Sequence, residues 1–219
     1  MDHKLLAYLQ TYLTERRRNL FERVLSERTY HFTVVVEDVY QLHNTSAVIR
    51  SCESFGVQNL HVIEEVNVKR IDREIAMGAQ KWVDVHRHTS AKACVQTLKN
   101  EGYRIVATTP HQKAHRLEDF DISEKAAIFF GRETEGLSND VLEVADDFIY
   151  IPMAGFTESL NISVSAAITL QHIMSKLKDT DIPWQLSTEE VFEKKLEWTK
   201  KMIKDVDRII ARWEEDQHA

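Results

Sequence analysis

Apolar positions along the chain follow two alternating patterns, and these predict strands and helices in turn. Compact apolar runs, rich in β-branched residues, predict buried strands at 32–36, 60–63, 104–108, 127–130 and 148–151. A weaker alternation around Val83 and Val85 predicts one more strand. Spacings of three and four residues predict helices at 45–55, 90–100, 139–145 and 161–177. Strands that alternate with helices in this way are typical of an α/β fold with a mostly parallel sheet.

The N-terminal region has helical spacing throughout. Apolar residues recur every three or four positions from Leu5 to Leu13 and again from Leu20 to Leu25. This pattern predicts two short helices or one bent helix, and the sequence does not choose between them. We assign residues 1–28 to an N-terminal helical extension.

The C-terminal region has the same character. Ser187 and Glu190 have the spacing of a capping box, and an apolar stripe from Phe192 to Trp213 predicts one long amphipathic helix. The stripe must be buried, either against the N-terminal helices or against a second subunit, and the sequence leaves both open. We therefore expect a core domain at 29–178 and a C-terminal helical extension at 179–219.

The composition is that of an ordinary soluble globular protein. Of 219 residues, 43% are hydrophobic and 29% are charged. The only cysteines, Cys52 and Cys94, are too few for a disulfide framework and form no CxxC zinc motif. No apolar run approaches the length of a membrane span. These features predict a protein of the reducing cytoplasm with no membrane partner.

The formal net charge of -7 argues mildly against nucleic-acid binding, which needs clustered cations. The distribution of charge changes this picture. Arg16, Arg17 and Arg18, followed by Arg23 and Arg28, outnumber the nearby glutamates. This cluster is a candidate RNA-binding patch, and the alternative is an ordinary solvated helix face.

Three short stretches carry more polar groups than their local structure needs. In Ile151–Leu170, Pro152 ends a strand and Gly155 permits an unusual turn before several serines and Asn161 crowd a helix start. One such residue is enough to cap a helix, so the surplus indicates a ligand. The other two stretches are Asn44-Thr-Ser-Ala-Val-Ile-Arg50 and Phe129-Phe-Gly-Arg-Glu-Thr-Glu-Gly-Leu137.

The glycine turn at 131–136 follows a strand and precedes a helix, which is where open α/β sheets bind ligands. The turn lacks the Lys-Ser/Thr of an NTPase phosphate loop and the second glycine of a dinucleotide-binding fingerprint. These absences argue against an NTPase and against a nicotinamide-dependent oxidoreductase. The simpler alternative is a strand-to-helix connection that binds nothing.

Two pairs of histidines have the spacing of metal ligands. They are His86 with His88 and His111 with His115. No acidic or cysteine residue nearby in the sequence completes either set, so we expect structural histidines and no metal site.

Taken in order, the three polar stretches resemble the motifs of the SPOUT-class RNA 2'-O-ribose methyltransferases, over about residues 30–178. The resemblance implies a deep trefoil knot in the C-terminal part of the core, S-adenosyl-L-methionine as cofactor, and a homodimer. It also implies ribose methylation of tRNA, at the conserved D-loop guanosine, position 18. Alternatives are methylation of rRNA or of another tRNA nucleotide, or an RNA-binding module that has lost catalysis.

The resemblance also assigns individual residues. It implies a catalytic group of Arg50, Asn44, Glu133, Ser159 and Asn161. It implies cofactor contacts, many of them through the main chain, at Thr108, Gly131, Ile151 and Leu160.

Each catalytic assignment has a physical alternative. Arginine stays protonated in proteins, so we interpret Arg50 as a clamp on the phosphate beside the target ribose rather than as a base. Asn44, Ser159 and Asn161 could serve only as helix caps. Glu133 could organise its loop or a subunit interface without touching the substrate.

Overall fold

A computed structural model of the protein describes residues 2–39, 42–65, 76–110, 114–132 and 135–218. The chain divides into two compact units. The larger unit is Thr29–Trp184, and the smaller one combines Met1–Arg28 with Gln185–Ala219. The three-part division expected from the sequence stays a prediction, because compactness alone does not establish separate domains.

The larger unit is built on a seven-stranded sheet in the order β3-β2-β1-β6-β4-β7-β5. Every neighbouring pair in it is parallel. The strands are β1 Phe32–Glu37, β2 Asn59–Ile63, β3 Asp84–His88, β4 Arg104–Thr108, β5 His115–Arg116, β6 Ala126–Phe130 and β7 Asp147–Tyr150. The predicted α/β class with a mostly parallel sheet is confirmed. The two-residue edge strand β5 was not predicted, because both of its residues are exposed and polar.

Helices cover both faces of the sheet. In the described part of the larger unit, the α-helices with stated bounds are α3 Leu42–Phe55, α4 Ala91–Asn100, α5 Asn139–Leu142 and α6 Ile162–Lys178. Val34 and Val36 of β1 enter a core that includes α3 and α6, whereas Val35 enters a second core with α4 and α5. Strands buried on both faces explain the nearly continuous apolar runs in the sequence.

The ends of α3 and α5 can be compared with the helix bounds predicted from residue spacing. α3 ends where expected, because Gly56 follows it in a left-handed conformation, with φ 86°. α5 is shorter than the predicted 139–145, since it ends at Leu142. The deep trefoil knot implied by the resemblance stays a prediction.

The smaller unit consists of α1 His3–Gln10, α2 Glu15–Leu25, α7 Thr188–Met202 and α8 Val206–His218. The N-terminal region therefore forms two helices. The predicted capping box is present, since the Glu190 amide donates to Ser187 Oγ at 3.2 Å and the Ser187 amide donates to Glu190 Oε2 at 2.7 Å.

The prediction of one long C-terminal helix is wrong. Ile203 is extended, with ψ 124°, and Asp205 has a left-handed φ of 54°, so α7 and α8 are separate helices. Neither glycine nor proline marks this break, although aspartate tolerates the left-handed region better than most residues. The apolar stripe of α7 is buried within the same unit, where the Trp198 ring lies 5.6 Å from the Phe21 ring. No helix in the described part of the chain is long and apolar enough to cross a membrane.

Candidate active site

A cavity of about 420 Å³ lies at the carboxyl ends of β4, β6 and β7. Thr108 ends β4, Gly131 follows β6 and Ile151 follows β7, and all three line the cavity. Leu160 and Ser159 line it from the segment before α6. The cavity therefore gathers the four residues predicted for the cofactor. Its place in the sheet and its volume are typical of small-molecule sites.

The lining of the cavity combines apolar and polar groups. The apolar side chains include Leu117, Phe130, Leu137, Ile149 and Ile162. The polar side chains include Thr108, Glu158, Ser159, Ser165 and Thr169. The Thr108 hydroxyl donates to the Phe129 carbonyl at 2.8 Å, so this side chain also ties β4 to β6. Such a lining suits a ligand with a flat apolar ring and a polar or charged tail.

The loop between Gly131 and Leu137 forms one wall of the cavity. The amide of Arg132 donates to the Gly136 carbonyl at 2.9 Å, and the amide of Gly136 donates back to the Arg132 carbonyl at 3.0 Å. A Cβ atom on Gly131 would lie 2.2 Å from Gly136 C and 2.3 Å from Leu137 N. Glycine is therefore required here by the protein's own backbone, a reason that the sequence analysis did not find.

An ion pair fastens the first half of this loop. Arg132 Nη2 lies 2.8 Å from Asp38 Oδ2, and Arg132 Nη1 lies 2.6 Å from Glu135 Oε2. Asp38 follows β1 and is only 2% exposed. Hydrogen bonds that its guanidinium donates to Glu135 and Asp38 raise the pKa of Arg132 above its ordinary value. The sequence analysis missed Asp38, although an acidic residue directly after a buried strand was a usable signal.

The neighbouring residue Glu37 fastens the other end of the loop. Its Oε2 accepts a hydrogen bond of 2.9 Å from the amide of Ser138, the residue at which α5 begins. Glu37 is 1% exposed, and burial makes such a bond to a charged acceptor strong. Two consecutive acidic residues at the end of β1 thus hold both ends of the loop.

Asn44 and Asn161 connect two helices beside the cavity. Asn161 Nδ2 donates to Asn44 Oδ1 at 3.1 Å. Asn161 Oδ1 also accepts from the Ser163 amide at 2.8 Å, so Asn161 is the N-cap of α6. Asn44 is the buried third residue of α3 and therefore does not cap that helix. The structure brings these two predicted residues together and gives only Asn161 a capping role.

The remaining predicted residues are placed differently. Arg50 lies exposed on α3. Glu133 lies outside the described residues. In the smaller unit, Arg16 on α2 is exposed, whereas Arg17 and Arg18 are half-buried and Arg18 Nη1 donates to the Gln10 carbonyl at 3.1 Å.

The histidines with metal-ligand spacing have neighbours that the sequence did not indicate. His111 lies outside the described residues, and the His115 ring lies 3.7 Å from the Asp147 carboxylate. His86 and His88 lie on β3 beside His61 of β2. Burial, with smaller contributions from His86 and His88, lowers the pKa of His61 to about 3, so its imidazole is neutral near pH 7.

Comparison with known proteins identifies relatives of this fold and site. The SpoU rRNA methylase family matches the chain over residues 31–171. A tRNA (guanosine(18)-2'-O)-methyltransferase of Borreliella burgdorferi is 37% identical over 202 residues, covering 92% of this chain and 93% of the relative.

Solved structures agree with the observed architecture. The A. aeolicus TrmH/SpoU tRNA modifying enzyme has a TM-score of 0.78 and 29% identity, covering 87% of this chain and 98% of that one. The SpoU methyltransferase AviRb of Streptomyces viridochromogenes, in complex with the cofactor AdoMet, has a TM-score of 0.63 at 22% identity, covering 72% of this chain and 62% of that one. At that identity the second likeness supports the fold alone.

We predict that Asp38→Asn loosens the loop that walls the cavity. Asparagine keeps the size and tolerates the φ of 44° at this position, so the substitution removes only the charge. A hydrogen bond between charged groups contributes about 1.5–3 kcal/mol, so the amides of Arg132 and Gly136 should exchange hydrogen about tenfold to a hundredfold faster. Hydrogen exchange followed by mass spectrometry or NMR measures this. Asp140→Asn, which alters an exposed pair with Lys92, is the control, and unchanged exchange in Asp38→Asn would contradict the prediction.

Proposed function

Because the chain belongs to the SpoU rRNA methylase family, we propose that it transfers the methyl group of S-adenosyl-L-methionine to the ribose 2'-hydroxyl of guanosine 18 in tRNA. The observation that carries the proposal is the cavity at the carboxyl ends of β4, β6 and β7, which gathers Thr108, Gly131, Ile151 and Leu160. A relative named for this reaction aligns with 92% of the chain, so the likeness is not limited to a shared core.

The cavity residues fit the proposed cofactor. Apolar side chains such as Leu117 and Leu137 suit the face of an adenine ring, and the Glu158 carboxylate suits a cationic group. Thr108, Gly131, Ile151 and Leu160 would hold the cofactor, much of the contact coming from the main chain at the strand ends. When bound, the cofactor supplies a methyl group that is activated by its attachment to a sulfonium.

The residues of the chain contribute to the reaction mainly by positioning the reactants. Methyl transfer requires the ribose oxygen to lie in line with the methyl carbon, and alignment of reactants accounts for much of a catalysed rate. Asn161 lies between the lining residues Leu160 and Ile162, and its link to Asn44 fixes the start of α6. Ser159 offers a hydroxyl on the cavity wall. We assign to Ser159, Asn161 and Asn44 the orientation of the ribose.

Arg50 receives a separate role in this proposal. Its exposure on α3 leaves the guanidinium accessible to an RNA phosphate. A guanidinium matches phosphate geometry with two parallel hydrogen bonds, and it does not give up its proton near neutral pH. Arg50 therefore clamps the phosphate beside the target ribose and stabilises developing negative charge, and this phosphate accepts the proton that the 2'-hydroxyl loses. Arg16, Arg17 and Arg18 add nonspecific attraction for the RNA backbone.

The proposal includes a homodimer formed through the outer face of α6. Of the exposed large hydrophobic side chains in the described residues, five lie between 153 and 168: Met153, Phe156, Leu160, Val164 and Ile168. Val164 and Ile168 are one helical turn apart on α6, opposite the face that is buried in the core. Exposed apolar side chains concentrated in one stretch of the chain favour a protein partner, and a second copy of the chain satisfies them.

The function is tested with purified protein, S-adenosylmethionine labelled in the methyl group, and unmodified tRNA transcripts. We expect label in 2'-O-methylguanosine at position 18 and none in a transcript that carries adenosine there. Label at another ribose would reject position 18 and keep the chemistry. Label on rRNA but not on tRNA would reject tRNA as the substrate.

We predict that Arg50→Ala loses nearly all methyl transfer, whereas Arg50→Lys retains part of it. Lysine keeps the charge near the phosphate but not the forked geometry. Initial rates of label transfer to tRNA give the comparison, and cofactor affinity, which should be unchanged, checks folding. Lys92→Ala, an exposed cation on α4, is the matched control. Full activity in Arg50→Ala would exclude any catalytic role for this residue.

We predict that Val164→Glu combined with Ile168→Glu converts the dimer into a monomer. Two carboxylates at the centre of an apolar contact would have to be buried without partners, which strongly disfavours association. Light scattering after size-exclusion chromatography reports the mass. Gln96→Glu, at an exposed position on α4, should leave the dimer intact. A wild-type mass equal to one chain would refute the dimer itself.

A further inference from the structure

Three side chains that commonly bind metals meet on the opposite part of the sheet from the cavity. They are His61 of β2, His88 of β3 and Cys94 of α4, and their ligand atoms all lie within 4.8 Å of one another. His61 is 2% exposed and Cys94 is fully buried. None of the three lines the cavity, so the cluster is independent of the proposed methyl transfer.

Sheet register explains why these residues meet. His61 is the direct partner of His86, and Ile63 is the partner of His88, so the three histidine side chains share one face of the sheet. Cys94 belongs to the core that α4 forms on this face. The expectation of no metal site rested on residues close in sequence to His86 and His88, whereas the additional donors come from another strand and from the following helix.

One of the two imidazole nitrogens of the buried His61 has no hydrogen-bond partner in the described residues. Its Nδ1 lies 2.9 Å from His88 Nε2, which is a hydrogen bond. Its Nε2 is buried and has no hydrogen-bond partner in the described part of the chain. Buried polar atoms in native proteins are nearly always satisfied, and a bound ion is one recognised explanation for an exception.

We propose that His61, His88 and Cys94 form a binding site for Zn²⁺. Two imidazole nitrogens and one thiolate are donors that zinc prefers, whereas Mg²⁺ and Ca²⁺ require oxygen ligands. Three protein ligands leave the fourth tetrahedral position to a water molecule. The site joins β2, the edge strand β3 and α4, so its role is to fasten this edge of the sheet.

Binding requires only small local changes. Around a tetrahedral zinc, bonds of about 2.0–2.3 Å place ligand atoms roughly 3.3–3.8 Å apart, which is about 1 Å closer than the widest separation here. His88 is half-buried, and its Nε2 already lies 2.9 Å from His61 Nδ1. The S–H bond of Cys94 breaks as the sulfur–zinc bond forms, and the proton passes to solvent. The hydrogen bond between His61 and His88 is replaced by their bonds to the metal.

The test uses the purified full-length chain, stripped of metal with a chelator and then titrated with Co²⁺ as a spectroscopic substitute for Zn²⁺. We expect one Co²⁺ per chain, a thiolate-to-cobalt charge-transfer band and the intense visible absorption of tetrahedral cobalt. Added Zn²⁺ should bleach both bands and raise the melting temperature. Absence of the charge-transfer band in the wild-type chain would overturn the proposal.

Variants locate the metal. Cys94→Ser should abolish the charge-transfer band, whereas Cys52→Ser, which changes the other buried cysteine, should retain it. His88→Gln replaces a half-buried ligand that the fold tolerates losing, and it should weaken Co²⁺ binding at least tenfold while the unbound protein still unfolds cooperatively. Retention of the band in Cys94→Ser, or of wild-type affinity in His88→Gln, would overturn the assignment.

Discussion

The cavity depends on one constraint, which is that the backbone of Gly136 and Leu137 packs directly against Gly131, where the loop begins. The backbone of Gly136 and Leu137 occupies the space that any side chain at Gly131 would need. β1 pairs with β6 along its length, with Val36 beside Phe130, so Glu37 and Asp38 emerge next to the loop that β6 leads into. Two carboxylates that are buried here carry a desolvation cost, and their bonds to Ser138 and Arg132 offset it. The same contacts therefore give each buried carboxylate a hydrogen-bond donor and shape one wall of the cavity.

The sheet has two differently equipped ends. β4, β6 and β7 contribute the cavity, and β2 and β3 carry the cluster of histidines, which Cys94 of α4 adjoins. β1, which is buried on both faces, separates these two regions. Because a parallel sheet places all its carboxyl ends on one edge, polar residues collect there, while the interior of the sheet remains apolar.

Much of the core was predictable because its signals are local. The apolar runs at β1 and β6 and the glycine after α3 each determine a nearby conformation, and the structure agrees with them. The residues assigned to the cofactor also meet at one cavity, since Thr108, Gly131 and Ile151 end or follow parallel strands and Leu160 lies just before α6. The sequence alone showed more polar residues near the start of α6 than helix capping needs, and the resemblance to a methyltransferase family indicated which ligand they bind.

What the sequence did not predict depends on contacts between distant residues. The pairing of Asp38 with Arg132 joins positions 94 residues apart, and no local pattern in the sequence links the two residues. The meeting of His61 with Cys94 depends on strand register and helix placement together. The break between α7 and α8 is a third case, because the apolar stripe continues across it and only the backbone of Ile203 and Asp205 departs from a helix.

The double role of Asn161 changes what counts as a conservative substitution at this position. Serine, threonine, aspartate and asparagine are nearly interchangeable as N-caps, because each offers an oxygen to the first turn. Here the same side chain also donates a hydrogen bond from its amide nitrogen to Asn44. An ionised aspartate cannot donate a hydrogen bond, and a hydroxyl side chain is too short to reach both partners. Only the asparagine carboxamide can accept a hydrogen bond from the first turn of α6 and also donate one to Asn44. The contact between α3 and α6 therefore requires asparagine, whereas N-capping alone would permit any of the four amino acids.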